Sequence, residues 1–108
     1  MESFQDRVRR LVSVRKVRVS EHGYDELAED GLSAKEVIAG VSEAILIEDY
    51  PEFAKGPCAL FLQADSSGAP VHVVWGIPKG YDEPVVLVTA YRPNLKSWDR
   101  TFRRRLKR

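Results

Sequence analysis

Thr89, Tyr91 and Arg92 bring a hydroxyl, a phenol and a guanidinium to the end of an apolar, β-branched run, Val85-Val86-Leu87-Val88. Such a run reads as a buried strand. Its period of two puts Thr89 and Tyr91 on one face, with Arg92 on the other or at the turn. Pro93 then stops the strand. These three groups at the lip of a sheet suit phosphate chemistry; they equally suit an ordinary strand end. His22 opens a predicted helix among Glu21, Asp25 and Glu26. The helix N-terminus disfavours its protonated form and the acids act the other way. It is either a surface or helix-packing residue or a general acid or base, or a phosphate ligand, facing a groove. His72 alternates with Val71 and Val73, so it faces away from both. It is a half-exposed strand residue or a second proton-transfer partner.

Other chemistries find no residues to carry them. One Cys and two His offer no pair at metal-ligand spacing. Neither a P-loop nor a dinucleotide glycine pattern is present, and no Ser sits in a nucleophile elbow. No cofactor is expected. Cys58, in the apolar stretch Cys58-Ala59-Leu60-Phe61-Leu62, reads as a small buried hydrophobe rather than a catalytic thiol. A lone cysteine forms no internal disulfide and suits a reducing cytoplasm. No apolar run approaches the roughly 20 residues that span a bilayer, so no membrane role is expected.

The net charge of +1 conceals an asymmetry. Residues 1–20 carry +4, residues 21–89 carry −10 and residues 90–108 carry +7. The dense cations Arg100, Arg103, Arg104, Arg105, Lys107 and Arg108 form either a solvated face or a sequence-independent phosphate grip. The basic ends either fold back on the acidic body or meet a polyanion such as RNA.

At 108 residues the chain is one domain. Phe4, Val8, Leu11 and Val12 make one face of a helix over residues 2–13. Arg15 to Val19 alternates charged and apolar side chains as a short extended piece. Ser20 caps a helix from Glu21 to about Asp30, and Gly31 ends it. Ser33-Ala34-Lys35-Glu36 is a capping box for a helix carrying Val37, Ile38 and Val41. Strands follow at Ala44 to Tyr50, Cys58 to Ala64, Val71 to Ile77 and Pro84 to Tyr91, with a hairpin loop at residues 65–69. Leu95, Trp98, Phe102 and Leu106 form the apolar line of a final helix from Asn94 to about Lys107, which Trp98 anchors to the sheet unless it stacks a base instead. This order predicts an α+β fold: N-terminal helices on a four-stranded antiparallel sheet, then a C-terminal helix.

Taken in order, these motifs resemble a known family. They are His22 opening a helix, Gly31-Leu32-Ser33, the strand end Ile47 to Pro51, Pro70 to Val74, Val88 to Pro93, Trp98, and Phe102-Arg103. The set resembles the bacterial domain-of-unknown-function family numbered 4258 over about residues 18–105, a family grouped by similarity with RelE/ParE-like toxins. The resemblance implies a metal-independent endoribonuclease in which the RNA 2′-hydroxyl attacks the phosphate. His22, Tyr91 and His72 would be the catalytic proton-transfer groups; Thr89, Arg92, Arg100, Arg103 and Arg104 would bind phosphate. The chain departs from the family where Arg is frequent: Glu26 and Asp30 stand four and eight residues after His22. The other expectation is a non-catalytic interaction module of the same fold, binding an antitoxin-like protein partner or RNA.

Overall fold

The structure is a computed structural model and describes residues 2–107. Helix α1 (Phe4–Ser13) is capped by Ser3, whose side chain accepts from the Asp6 N–H, and it buries Val8 and Leu11. Strand β1 (Val17–Val19) follows. Helix α2 (Glu21–Glu29) is capped by Ser20 and buries Gly23 and Leu27. Helix α3 (Ala34–Ala39) is capped by Ser33 and runs into a 3₁₀ turn, Gly40–Glu43. The Glu36 side chain does not complete the predicted capping box; its carboxylate accepts from the Ser66 N–H in the β3–β4 loop. The remaining elements are β2 (Ile45–Tyr50), β3 (Cys58–Ala64), β4 (Pro70–Gly76) and β5 (Val85–Tyr91).

The sheet has five strands in the order β1-β5-β4-β3-β2. The pairs β2/β3, β3/β4 and β4/β5 are antiparallel, and β1 runs parallel to β5 with Val17 beside Val85 and Val19 beside Leu87. The expected four-stranded antiparallel sheet is therefore corrected to a five-stranded mixed one. The extended piece after α1 joins the sheet because β5 would otherwise present an open edge. The Val85 N–H donates to the Lys16 carbonyl and the Ser20 N–H to the Leu87 carbonyl.

The C-terminal helix is also corrected: residues 94–107 form no helix. Short polar side chains capture the backbone groups that a helix would need. Asn94 Oδ1 accepts from the Lys96 and Ser97 N–H groups, and Asp99 Oδ1 from those of Thr101 and Arg103. The chain turns back on itself, Trp98 bridges to Arg105, and the Leu106 N–H donates to the Ser97 carbonyl. Leu95 and Leu106, half of the expected apolar line, are exposed. We call residues 97–106 the strap.

The core fills the face of the sheet covered by α1, α2 and α3, where Val8, Leu11, Leu27 and Val37 meet Phe61, Val73, Trp75 and Leu87. Gln63 is the buried polar residue there, and it is satisfied: its amide donates to the Val37 carbonyl and accepts from Trp75 Nε1.

Candidate functional site

Two bulges decide what reaches the other face. In β5, Leu87 pairs with Trp75, Thr89 with Val74 and Tyr91 with His72, leaving Val88 as an extra residue. One inserted residue reverses the parity of a strand. Leu87 and Ala90 are thereby both buried in the core, while Thr89 and Tyr91 turn outward together. In β2 the irregularity lies between Leu46 and Glu48: Leu46 sits opposite the core residue Phe61, and Glu48 and Tyr50 sit opposite Leu60 and Cys58. Residues paired across antiparallel strands share a face. The outer face thus gathers Glu48, Tyr50, His72, Thr89 and Tyr91.

The strap closes over part of this set. His72 is 0% exposed. One ring nitrogen, Nδ1, lies 3.2 Å from the Tyr91 hydroxyl, and the other, Nε2, lies 2.7 Å from the Phe102 carbonyl oxygen. A carbonyl only accepts, so Nε2 carries a hydrogen and the neutral ring accepts from Tyr91 at Nδ1. Trp98 packs edge-on against the imidazole at 4.3 Å between ring centroids. Arg105 covers Trp98 and donates to Glu48 through Nε at 2.8 Å and Nη2 at 3.1 Å. Tyr50 donates its hydroxyl hydrogen to the same carboxylate.

Burial pushes the His72 pKa down; the Phe102 carbonyl and the Glu48 charge oppose it without prevailing. Burial likewise raises the Tyr91 phenol. At Glu48 burial also works upward, but the hydrogen bonds from Arg105 and Tyr50 prevail and hold the carboxyl below its ordinary value. The site at neutral pH is a neutral imidazole–phenol pair beside a carboxylate–guanidinium pair. A neutral His and Tyr can exchange protons with a ligand, but His72 has both nitrogens engaged within the chain.

The other sequence candidates stand elsewhere. His22 is on α2, whose Gly23 approaches Leu87 on the core side, and its side chain is 66% exposed and 3.5 Å from Glu26. Arg92 is engaged by its neighbours: Nη1 donates to Asp65 at 2.9 Å and the backbone N–H to Asp30 at 2.7 Å. The hydroxyl of Ser67, the Ala69 N–H and Arg92 together hold the Asp65 carboxyl far below its ordinary value. Glu26 and Asp30, the departures from the family pattern, thus serve as partners of His22 and Arg92. Arg100, Arg103 and Arg104 are exposed on the strap. Among the described residues they form no ion pair. Arg108 lies outside the described residues. Burial raises the Cys58 thiol above its ordinary value, so it stays protonated. No group of three or more His, Cys, Asp or Glu side chains among the described residues is placed to hold a metal ion.

Beside the strap the same face remains open. A groove of about 360 Å³ runs between Tyr50, Phe53, Cys58, Val74, Val88 and Thr89. Tyr50, Phe53 and Val88 are all exposed. Sequence reasoning placed His72, Thr89 and Tyr91 in a site and counted Arg105 among the cations of a phosphate grip, but missed Glu48 and Tyr50. Its only available signal was an acid and an aromatic two residues apart, Glu48 and Tyr50, in a strand.

Fold and site together define a small α+β domain: a mixed sheet, helices over one face, and a partly strapped polar row on the other. Residues 19–92 match the family model described as a domain of unknown function (DUF4258), and the chain belongs to that family. The match ends before Trp98, so the strap and α1 lie outside it. No curated protein and no solved structure matches the chain. No helix among the described residues is long and apolar enough to cross a membrane.

Proposed function

We propose that this domain is an interaction module, related to RelE/ParE-like toxins, which binds a protein partner through the open part of its outer sheet face. The observation that carries this reading is the groove beside the strap, where Tyr50, Phe53 and Val88 present exposed apolar surface around one depression. The acidic body, −10 over residues 21–89, favours a basic partner. The test compares wild-type protein with a Phe53→Glu/Val88→Glu variant, each immobilised and exposed to lysate of the native host. A protein retained by the wild type alone, with both forms equally folded by circular dichroism, supports the reading. Equal retention by both, or by neither, overturns it.

A second reading, a metal-independent endoribonuclease acting through the RNA 2′-hydroxyl, is favoured by the hydrogen bond between His72 and Tyr91. On it the strap lifts so that this pair meets the scissile phosphate. Incubation with total RNA, with and without EDTA, tests it. Fragments ending in a 2′,3′-cyclic phosphate, lost in His72→Ala and retained in His22→Ala, support it. Intact RNA refutes it.

A further inference from the structure

We propose that the polar row beneath the strap is a recognition site for an arginine- and aromatic-bearing peptide segment of a protein partner, a site that Trp98 to Arg105 occupy in cis. The inference rests on the interaction reading above and names the chemistry of the partner. The strap presents three groups as a bound peptide would. The Trp98 ring lies against His72, the Phe102 carbonyl accepts from His72 Nε2, and the Arg105 guanidinium makes two hydrogen bonds to Glu48. The receiving groups belong to the sheet itself. Glu48 stands on β2, His72 on β4 and Tyr91 on β5, in register with their neighbours. Tyr50 holds Glu48 and Tyr91 holds His72 independently of the strap.

The strap's own fit is imperfect. Phe102 has φ +58°, a left-handed conformation that a side-chain-bearing residue rarely adopts. Leu95 and Leu106, on either side, find no apolar cover. A segment arriving from another protein can offer the same carbonyl, aromatic and guanidinium without that conformation. The groove continues the site, since Tyr50 lines it and also bonds Glu48. A longer segment would place its arginine on Glu48 and run its apolar side chains toward Phe53 and Val88. Tethering gives the strap a high effective concentration, so a partner segment must outcompete it.

The probe is a fluorescein-labelled synthetic peptide of residues 94–107, added to full-length protein and read by fluorescence anisotropy. Wild type should bind it weakly, because the strap already fills the site. Arg105→Ala, which unfastens the strap at an exposed side chain, should bind it at least tenfold more tightly. Adding Glu48→Gln to Arg105→Ala should remove most of that gain. A scrambled peptide of equal charge that binds equally well overturns the proposal, as does equal binding to wild type and Arg105→Ala. Amide hydrogen exchange on wild type keeps the question answerable if the variants unfold. The Asp99 and Leu106 amides should exchange through an opening that leaves the β3/β4 ladder protected; exchange only on global unfolding overturns the proposal. Failure of the peptide arms with the Phe53→Glu/Val88→Glu effect intact rejects this inference and leaves the groove reading standing. The converse rejects the groove reading alone.

Discussion

His72 concentrates the consequences of burial in one ring. Removing it leaves the Phe102 carbonyl and the Tyr91 hydroxyl without their partner and opens a cavity against Trp98. His72→Ala should therefore cost about 2–4 kcal/mol in urea unfolding. The ring also makes stability depend on pH. Its folded-state pKa is depressed, so as pH falls the unfolded chain takes up this proton before the folded chain does. The stability tied to the neutral ring is complete above about pH 6.5 and is lost as pH falls from there toward the folded value. Denaturation midpoints measured between about pH 7 and pH 5 should fall with pH, and His72→Gln should flatten that slope. That Thr89 and Tyr91 share a face was legible, because period two needs only the strand itself; that the face is the outer one was not, because the Val88 bulge sets it. The burial of His72 was not. It depends on a strap that approaches from thirty residues along the chain, and no local pattern reports such a contact.

Among the elements, α2 sits closest to the sheet. A Cβ at Gly23 would lie 2.8 Å from the Leu87 carbonyl oxygen, with Ser20 Oγ 3.1 Å away. Gly23→Ala should push α2 off β5 and destabilise the protein by about 1–3 kcal/mol, read as a lower thermal midpoint. Alanine at Gly31, where φ is +64° and no atom lies within 4 Å, should cost less, about 1 kcal/mol of backbone strain alone. The caps Ser3, Ser20 and Ser33 stand at the helix starts. Those at Ser20 and Ser33 were plain from residue type, since a short hydroxyl side chain before an apolar period has few other uses. Strand positions were plain for a similar reason. The bulges were not: Val88 is as good a strand residue as its neighbours, and only its pairing shows it to be the extra one. The final helix was misread because Leu95, Trp98, Phe102 and Leu106 imitate helical spacing, while Asn94 and Asp99 draw the backbone into turns.

At the scale of the molecule, the residues that match the family do not make the whole fold. Val8 and Leu11 of α1 and Trp98 of the strap are buried, and all three lie outside residues 19–92. At about 1.5–3 kcal/mol for each buried side chain, their loss is of the order of 5–9 kcal/mol. That rivals the total stability of a small domain, about 5–15 kcal/mol. A polypeptide limited to residues 19–92 should show no cooperative thermal transition by circular dichroism, whereas residues 1–108 should show one. The sheet's strand order carries a further consequence, for synthesis. β1 has one neighbour in the sheet, β5, and that neighbour begins at Val85. On the ribosome the opening strand emerges early and waits while α2, α3 and three antiparallel strands are made. Until β5 arrives, β1 is unpaired and β4 shows a bare edge of the kind that chaperones and other nascent chains engage. The stretch that follows Pro84 thus closes the sheet and then straps its outer face, so the sheet stays open until β5 has emerged from the ribosome.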